Sequence, residues 1–120
     1  MRLFIVILGL FATPAAATSE RDLEPAFRNT ITSTYPSGRS AKLWLNPDGS
    51  YTGQGAKGGR TAGKWVIKGD DLCLRQTRPI SLPVRYCTPI VKGGVGARWD
   101  ARSPKDEPLK NRLVAGRAGA

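Results

Sequence analysis

Short segments of alternating apolar and polar residues, separated by Gly, Pro, Asn and Asp, follow one another from residue 27 onward. A period of two residues puts alternate side chains on opposite faces of a strand, so the pattern predicts β-strands rather than helices. The eight predicted strands are Phe27–Ser33, Arg39–Leu45, Ser50–Gln54, Ala62–Lys68, Asp71–Thr77, Pro83–Ile90, Ala97–Ala101 and Leu109–Val114. Their short connections favour an antiparallel meander, and we predict an all-β domain of six to eight strands curled towards a small barrel.

Two turns predict the register of neighbouring strands. In the Asn46–Gly49 segment, Pro suits φ near −65° and Gly suits positive φ, which favours a type I turn closing on a bulge and sets Leu45 opposite Tyr51. Gly69–Asp70 suits a two-residue type II′ turn, whose first position needs positive φ. The residues that this second turn assigns to the core face are Trp65, Ile67, Leu72 and Leu74. Val66, Lys68, Asp71 and Cys73 are assigned to the outer face.

The chain has two cysteines, Cys73 and Cys87, with thirteen residues between them. A zinc site would need further ligands and the chain has no histidine, while a redox-active pair is more often spaced C-x-x-C. We therefore predict a structural disulfide, which stabilises by about 3 kcal/mol through loop closure. If the cysteines are opposite each other, the hairpin is centred near Ile80, Val84 and Ile90 join the core side, and Arg75 lies opposite Arg85.

The first seventeen residues have the organisation of a signal peptide. Arg2 precedes the apolar run Leu3–Ala12, and the small residues Ala15–Ala17 follow Pro14. A membrane anchor is the alternative, but a spanning helix needs about 20 apolar residues. We predict cleavage near Ala17 and a periplasmic or secreted product, with no transmembrane segment after cleavage. The remaining chain divides into a short helix or coil at 18–26, one β domain at 27–117 and a tail at 118–120.

Basic residues dominate the charge. The chain has 19 Lys and Arg, 9 Asp and Glu and a net charge of +10, and such a potential attracts anionic partners. The candidate anion-binding or partner-binding residues are Lys57, Arg60, Arg75, Arg78 and Arg85. The excess continues towards the carboxyl end at Arg98, Arg102, Lys105, Lys110, Arg112 and Arg117.

The predicted compartment limits which anionic partners these basic residues could bind. The expected partners are anionic lipid headgroups, polysaccharide or an acidic protein, and solubility alone is the alternative explanation. Nucleic acid is not expected, because the compartment normally lacks it and the chain has no recognition motif.

None of the motifs is typical of an enzyme. Without histidine, a serine nucleophile lacks its usual base, and the acidic pairs Asp70–Asp71 and Asp106–Glu107 fall in turns or loops. The 53–58 segment matches G-x-G-x-x-G, but the glycine-rich residues after it do not favour the helix that a dinucleotide site requires. We predict a non-catalytic binding or structural module with no cofactor and no metal ion.

Three tryptophans have different predicted places. Trp65 belongs to the core by its register. Trp44 alternates with Leu43 and Leu45, so it lies on the outer face, where it either packs under a terminal segment or stands exposed as a contact. Packing is the interpretation we favour for Trp44, and Trp99 is expected to seal one end of the barrel.

Several short motifs resemble those of the small secreted proteobacterial β-proteins of unknown function. These motifs are Phe27–Thr30, Asn46–Gly49, Gly63–Trp65, Leu72–Cys73 and Cys87. The resemblance implies a lipocalin-like or half-barrel meander and brings no catalytic residue. A weaker similarity is to the bacterial metalloprotease inhibitors, small periplasmic barrels with a Gly-x-Trp segment and one disulfide, and it implies a protease inhibitor as the alternative function.

Overall fold

A computed structural model describes residues 20–90 and 92–120. The predicted signal peptide and its cleavage site lie outside the described residues. The described chain begins with a 3₁₀ turn, Glu20–Leu23, which runs directly into the one-turn helix α1, Glu24–Phe27. Pro25 occupies the first turn of α1, where its missing N–H costs nothing. The segment predicted as a short helix or coil is therefore helical from Glu20, and the helix ends one residue after that segment, at Phe27.

Eight antiparallel strands follow, as the alternation pattern predicts. They are β1 (Thr30–Thr34), β2 (Ser40–Leu45), β3 (Ser50–Gln54), β4 (Arg60–Lys68), β5 (Asp71–Arg78), β6 (Tyr86–Pro89), β7 (Arg98–Arg102) and β8 (Pro108–Val114). The strands form one sheet in the order β6-β5-β4-β3-β2-β1-β8-β7, curled into a nearly closed barrel. The pairing of β1 with β8 joins the β7–β8 hairpin to the rest of the wall, and β6 and β7 are its two edges. We call the gap between these edges the seam.

The turns confirm the predicted register. Gly49 has φ +91° and its N–H donates to the Asn46 carbonyl at 3.2 Å, so that Leu45 pairs with Tyr51. Gly69 has φ +61°, as its type II′ position requires, and Trp65 pairs with Leu74. The same 3.2 Å or shorter N–H···O=C pattern closes the turns at 35–39, 55–59 and 103–107. The G-x-G-x-x-G segment therefore contributes to a hairpin and not to a dinucleotide site.

The two ends of the barrel differ. At one end, Leu23 and Ala26 from the N-terminal turns pack into the core beside Leu45 and Trp65, and we call this the helix end. The other end, the hairpin end, carries the turns at 35–39, 55–59 and 103–107 and the 79–85 loop. Trp65 therefore lies in the core, as its register predicts. Its Nε1 donates to the Asn46 carbonyl at 2.8 Å, so the one polar atom of its side chain has a hydrogen-bond partner.

Trp44 lies at its predicted outer position, where another segment of the chain covers it. Trp44 is fully buried, its Nε1 donates to Thr30 Oγ1 at 2.8 Å, and the backbone at Gly119 lies against its ring. The Thr30 hydroxyl in turn donates to the Gly116 carbonyl at 2.7 Å. Packing under a terminal segment, the interpretation that the sequence favours, is therefore confirmed, and the segment is the carboxyl-terminal one.

Cys73 and Cys87 form the predicted disulfide, and their strand positions are directly opposed. Two related predictions are wrong. Val84 is 69% exposed rather than in the core, and Arg85 does not pair with Arg75, because the β5–β6 ladder ends at Leu74 and Tyr86. The physical reason is that β6 begins only at Tyr86, because prolines in the 79–83 segment cannot donate to a ladder.

Candidate functional site

The five predicted anion-binding residues do not form one cluster. Lys57 lies in the β3–β4 turn and Arg60 begins β4, so these two are close in the chain and both exposed. Arg75 and Arg78 lie on β5, where their partners across the ladder are Lys64 and Ala62. Arg85 lies apart from the strands, in the loop before β6, where it borders the seam.

A larger arrangement of cations crosses the outer wall from strand to strand. Its six directly paired positions are Arg98, Arg112, Thr32, Lys42, Gln54 and Arg60, on β7, β8, β1, β2, β3 and β4. We call this arrangement the cationic row. With strands about 4.8 Å apart, its five steps span about 24 Å along the curved wall.

The row contains four cations and no carboxylate. Arg98 is directly opposite Arg112, although like charges in paired positions are mildly destabilising. The Lys110–Asp100 ion pair at 2.9 Å occupies the next outward positions on β8 and β7, and the Arg102–Asp106 pair at 4.0 Å lies at the turn between these strands. Within the described part of the chain, no ion pair of 4.0 Å or less involves Arg98, Arg112, Lys42 or Arg60.

The carboxylates are concentrated at the helix end. Six of the nine acidic residues lie in the N-terminal turns or the neighbouring hairpins there: Glu20, Asp22, Glu24, Asp48, Asp70 and Asp71. Ser50 donates to Asp48 from its hydroxyl at 2.6 Å and its amide at 2.9 Å, and these bonds lower the pKa of that carboxyl below its ordinary value. The middle of the wall is therefore electropositive, and the negative charge lies towards one end.

Arg60 has an aromatic neighbour as well as a place in the row. Its guanidinium carbon lies 5.5 Å from the centroid of the Trp44 ring, which is in range for a cation–π interaction. Because Trp44 is buried and immobile, this contact restrains an otherwise exposed side chain. An anchored cation loses less conformational entropy when it binds an anion.

Sequence reasoning selected Arg60 and missed most of the row. Lys42 was not among the candidates, and Arg98 and Arg112 were predicted only as part of a general basic excess. Their alignment depends on the β1–β8 pairing, which joins residues about 80 positions apart. Lys42 and Trp44 flank Leu43, so a strand puts both on the outer face. This is the one local feature of the sequence that points to Lys42 as part of the row.

Other kinds of site have little support in the described residues. No three His, Cys, Asp or Glu side chains among them come together as metal ligands would. Helices there are too short and too polar to cross a membrane. Arg117 is also not an anion site, because its guanidinium donates to the carbonyls of Phe27 at 2.6 Å and Leu45 at 2.8 Å, and to Asn46 Oδ1 at 2.8 Å.

Comparison of the chain with known protein families, with characterised proteins and with solved structures finds no significant match. The resemblance to small secreted β-proteins and to metalloprotease inhibitors therefore stays a prediction, and function is inferred from the residues themselves.

Proposed function

We propose that this chain is an exported, non-catalytic binding module whose outer wall binds an acidic polysaccharide. The observation that carries the proposal is the cationic row, in which four cations occupy one line of directly paired positions without a carboxylate. The direct opposition of Arg98 and Arg112 weakens the folded state slightly, and a bound anion would relieve that repulsion.

The shape of the wall favours a flexible polymer over a membrane. The row crosses six consecutive strands of an eight-stranded barrel, so its cations face in different directions around a convex surface. A planar bilayer would contact only those on one side. A linear polyanion can bend around the wall and neutralise all four, and each contact releases counterions that add to the affinity.

Polar side chains between and beside the cations suit a carbohydrate. Thr32 and Gln54 occupy the two uncharged positions of the row. Next to Arg98 and Arg112, a shallow concavity of about 770 Å³ is also lined by Thr34 and Ser40, and the one carboxylate that borders it, Asp100, is paired with Lys110. These groups both donate and accept hydrogen bonds, as sugar hydroxyls require, whereas an anionic headgroup supplies mainly acceptors.

Titration of the mature protein with polygalacturonate tests this proposal, with neutral dextran, anionic phosphatidylglycerol vesicles and polyglutamate as comparators. We expect saturable binding to polygalacturonate whose affinity falls linearly with salt on a logarithmic plot. Neutralising the row in K42Q/R98Q/R112Q should reduce the affinity by at least about tenfold, if each contact contributes about 0.5–1 kcal/mol.

A matched control removes the same charge elsewhere. R21Q/K68Q/K105Q lowers the net charge by the same amount but leaves the row intact, and it should lose less than about threefold. Equal losses in the two triple variants would show attraction to net charge alone and would contradict the proposal. Tighter binding to vesicles or to polyglutamate would identify a lipid or an acidic protein as the partner instead.

A further inference from the structure

The inner face of the barrel carries a polar belt beside the seam. Ser33, Asn111 and Trp99 occupy directly paired positions on β1, β8 and β7. Thr88 reaches the same interior from β6, on the other side of the seam. The neighbouring pair towards the helix end, Ile31 opposite Leu113, is apolar. We call Ser33, Asn111, Trp99 and Thr88 the polar belt.

Three atoms of the polar belt are buried without a hydrogen-bond partner among the described residues: Asn111 Oδ1, Trp99 Nε1 and Thr88 Oγ1. Asn111 is 6% exposed and Thr88 is 9% exposed, so solvent does not satisfy them from outside. Thr88 Oγ1 makes no hydrogen bond with the Tyr86 phenol, whose hydroxyl donates to the Arg102 carbonyl instead. Buried polar groups of this kind destabilise a protein unless something occupies the space before them.

That space is a cavity. It has a volume of about 70 Å³, and the polar belt lines it together with apolar side chains that include Leu23, Leu72 and Leu113. A second, more open concavity of about 290 Å³ lies towards the hairpin end, where Tyr51 and Leu109 border it. The residues that line both spaces are Ser33, Leu43, Leu74 and Tyr86. The two spaces therefore adjoin, with these four residues between the belt and the hairpin end.

We propose that the barrel interior binds a neutral amphiphile with one small head group, such as a primary alcohol or a primary amide. The head group would accept a hydrogen bond from Trp99 Nε1 and donate one to Asn111 Oδ1, with its aliphatic chain directed towards Tyr51 and Leu109. A carboxylate suits the belt less well, because Asn111 Oδ1 presents an acceptor and Asp22 lines the same cavity.

The probes for this site are butan-1-ol, hexan-1-ol and octan-1-ol, added to the mature protein labelled with ¹⁵N. We expect a saturable shift of the Trp99 indole N–H resonance and an affinity that rises by about fourfold for each CH₂ group buried. Octanoate at neutral pH should bind at least about tenfold more weakly than octan-1-ol, because its charge would be left unpaired. These measurements need no variant, so they stand even if substitutions in the belt disturb folding.

Two variants test the assignment of the head group by calorimetry. W99F keeps an aromatic ring but removes the donor, and N111L keeps the volume but removes the acceptor, so each should weaken octan-1-ol binding about fivefold to tenfold. The double variant R98Q/R112Q changes residues of the outer wall that border neither interior space, and it should bind octan-1-ol normally. The interior proposal and the polysaccharide proposal can therefore fail independently.

Three results would overturn the interior proposal. The first is the absence of any saturable shift at the Trp99 indole, which would leave water as the occupant of the cavity. The second is an affinity that does not change with chain length. The third is unaltered octan-1-ol binding by folded W99F and N111L, which would place the ligand elsewhere.

Discussion

The Tyr86 hydroxyl donates a hydrogen bond to the carbonyl oxygen of Arg102 and so connects the two edges of the barrel. Tyr86 is the first residue of β6 and Arg102 is the last residue of β7. Because β6 and β7 share no ladder, this bond holds the seam at the hairpin end.

Replacing Tyr86 by Phe should loosen the seam. Loss of the hydrogen bond should lower the free energy of unfolding by about 1 kcal/mol. Amide hydrogen exchange should become faster in β6 and β7, with β3 and β4 unchanged, because the edges open first. The control Y51F removes a hydroxyl on β3, away from the seam, and should leave exchange at the edges unaltered. Uniform acceleration across all strands in Y86F would contradict a local role for the bond.

Alkaline pH should destabilise the fold through its tyrosines. Burial raises the pKa of Tyr35, Tyr51 and Tyr86 above 10.0, and the carboxylate of Glu107 adds to the rise at Tyr35. A raised pKa in the folded state means that the stabilisation is fully present below pH 10 and is lost as pH increases through the folded-state values. Ultraviolet titration should give phenol midpoints above 10, and Tm should fall across the same interval. Midpoints at or below 10 would be inconsistent with burial of these rings.

Gly63 should not tolerate a side chain. A Cβ at this position would clash with the Arg75 carbonyl oxygen and lie 2.7 Å from Cε2 of Tyr51. We expect Gly63→Ala to lower the free energy of unfolding by about 3 kcal/mol in urea titrations, because a backbone carbonyl cannot move aside cheaply. Gly59→Ala is the matched control, since nothing lies within 4 Å of its Cβ, and it should change stability by less than about 0.5 kcal/mol.

Asp106 should be replaceable by glycine with a gain in stability. It has φ +64°, and the equivalent positions of the other three hairpins of this type are Gly38, Gly49 and Gly58. An L-residue is strained in this region, so Asp106→Gly should relieve strain in the backbone. The variant also loses the exposed ion pair with Arg102, and the net result should be a rise of about 0.5 kcal/mol in the free energy of unfolding. The reverse change, Gly49→Asp, should lower it. A decrease in Tm for D106G would show that the carboxylate stabilises the turn more than its backbone strain destabilises it.

Arg117 should contribute to stability rather than to binding. Its three hydrogen bonds connect the carboxyl-terminal segment to the end of α1 and to the β2–β3 turn. Arg117→Ala should therefore lower the free energy of unfolding by about 2–3 kcal/mol. Arg39→Ala, at an exposed position, is the control and should have little effect. Polygalacturonate affinity should be the same in R117A and the wild type, measured where both are folded.

Local chemistry made most of the fold predictable. Turns such as Asn46–Gly49 and Gly69–Asp70 specify their own φ values, and the alternation around Trp65 then assigns each side chain to a face. The one region where register reasoning failed, around Val84 and Arg85, is the region where proline interrupts the ladder. The strand ends in this region depend on which backbone N–H groups can still donate to the ladder. The alternation of apolar and polar residues carries no information about that.

The candidate sites were much less predictable, because they depend on contacts between distant parts of the chain. The cationic row exists only when β1 pairs with β8, and the polar belt only when Asn111 lies between Ser33 and Trp99. Composition indicates that basic residues dominate the surface charge, but it does not indicate which of them occupy paired positions across the strands. The prediction of a protease inhibitor as the alternative function stays open to assays against secreted metalloproteases.

The disulfide makes the last strand of the wall dependent on the compartment in which the chain folds. In a glutathione-reduced cytosol, β6 would keep the four-position ladder that pairs it with β5 and the Tyr86–Arg102 hydrogen bond, but no covalent link to the sheet. Detachment of Tyr86–Pro89 would uncover the apolar interior along Leu72 and Leu74 and offer proteases an extended substrate. The reduced chain should therefore be cleaved by proteases faster than the oxidised chain, with the first cuts in or next to β6.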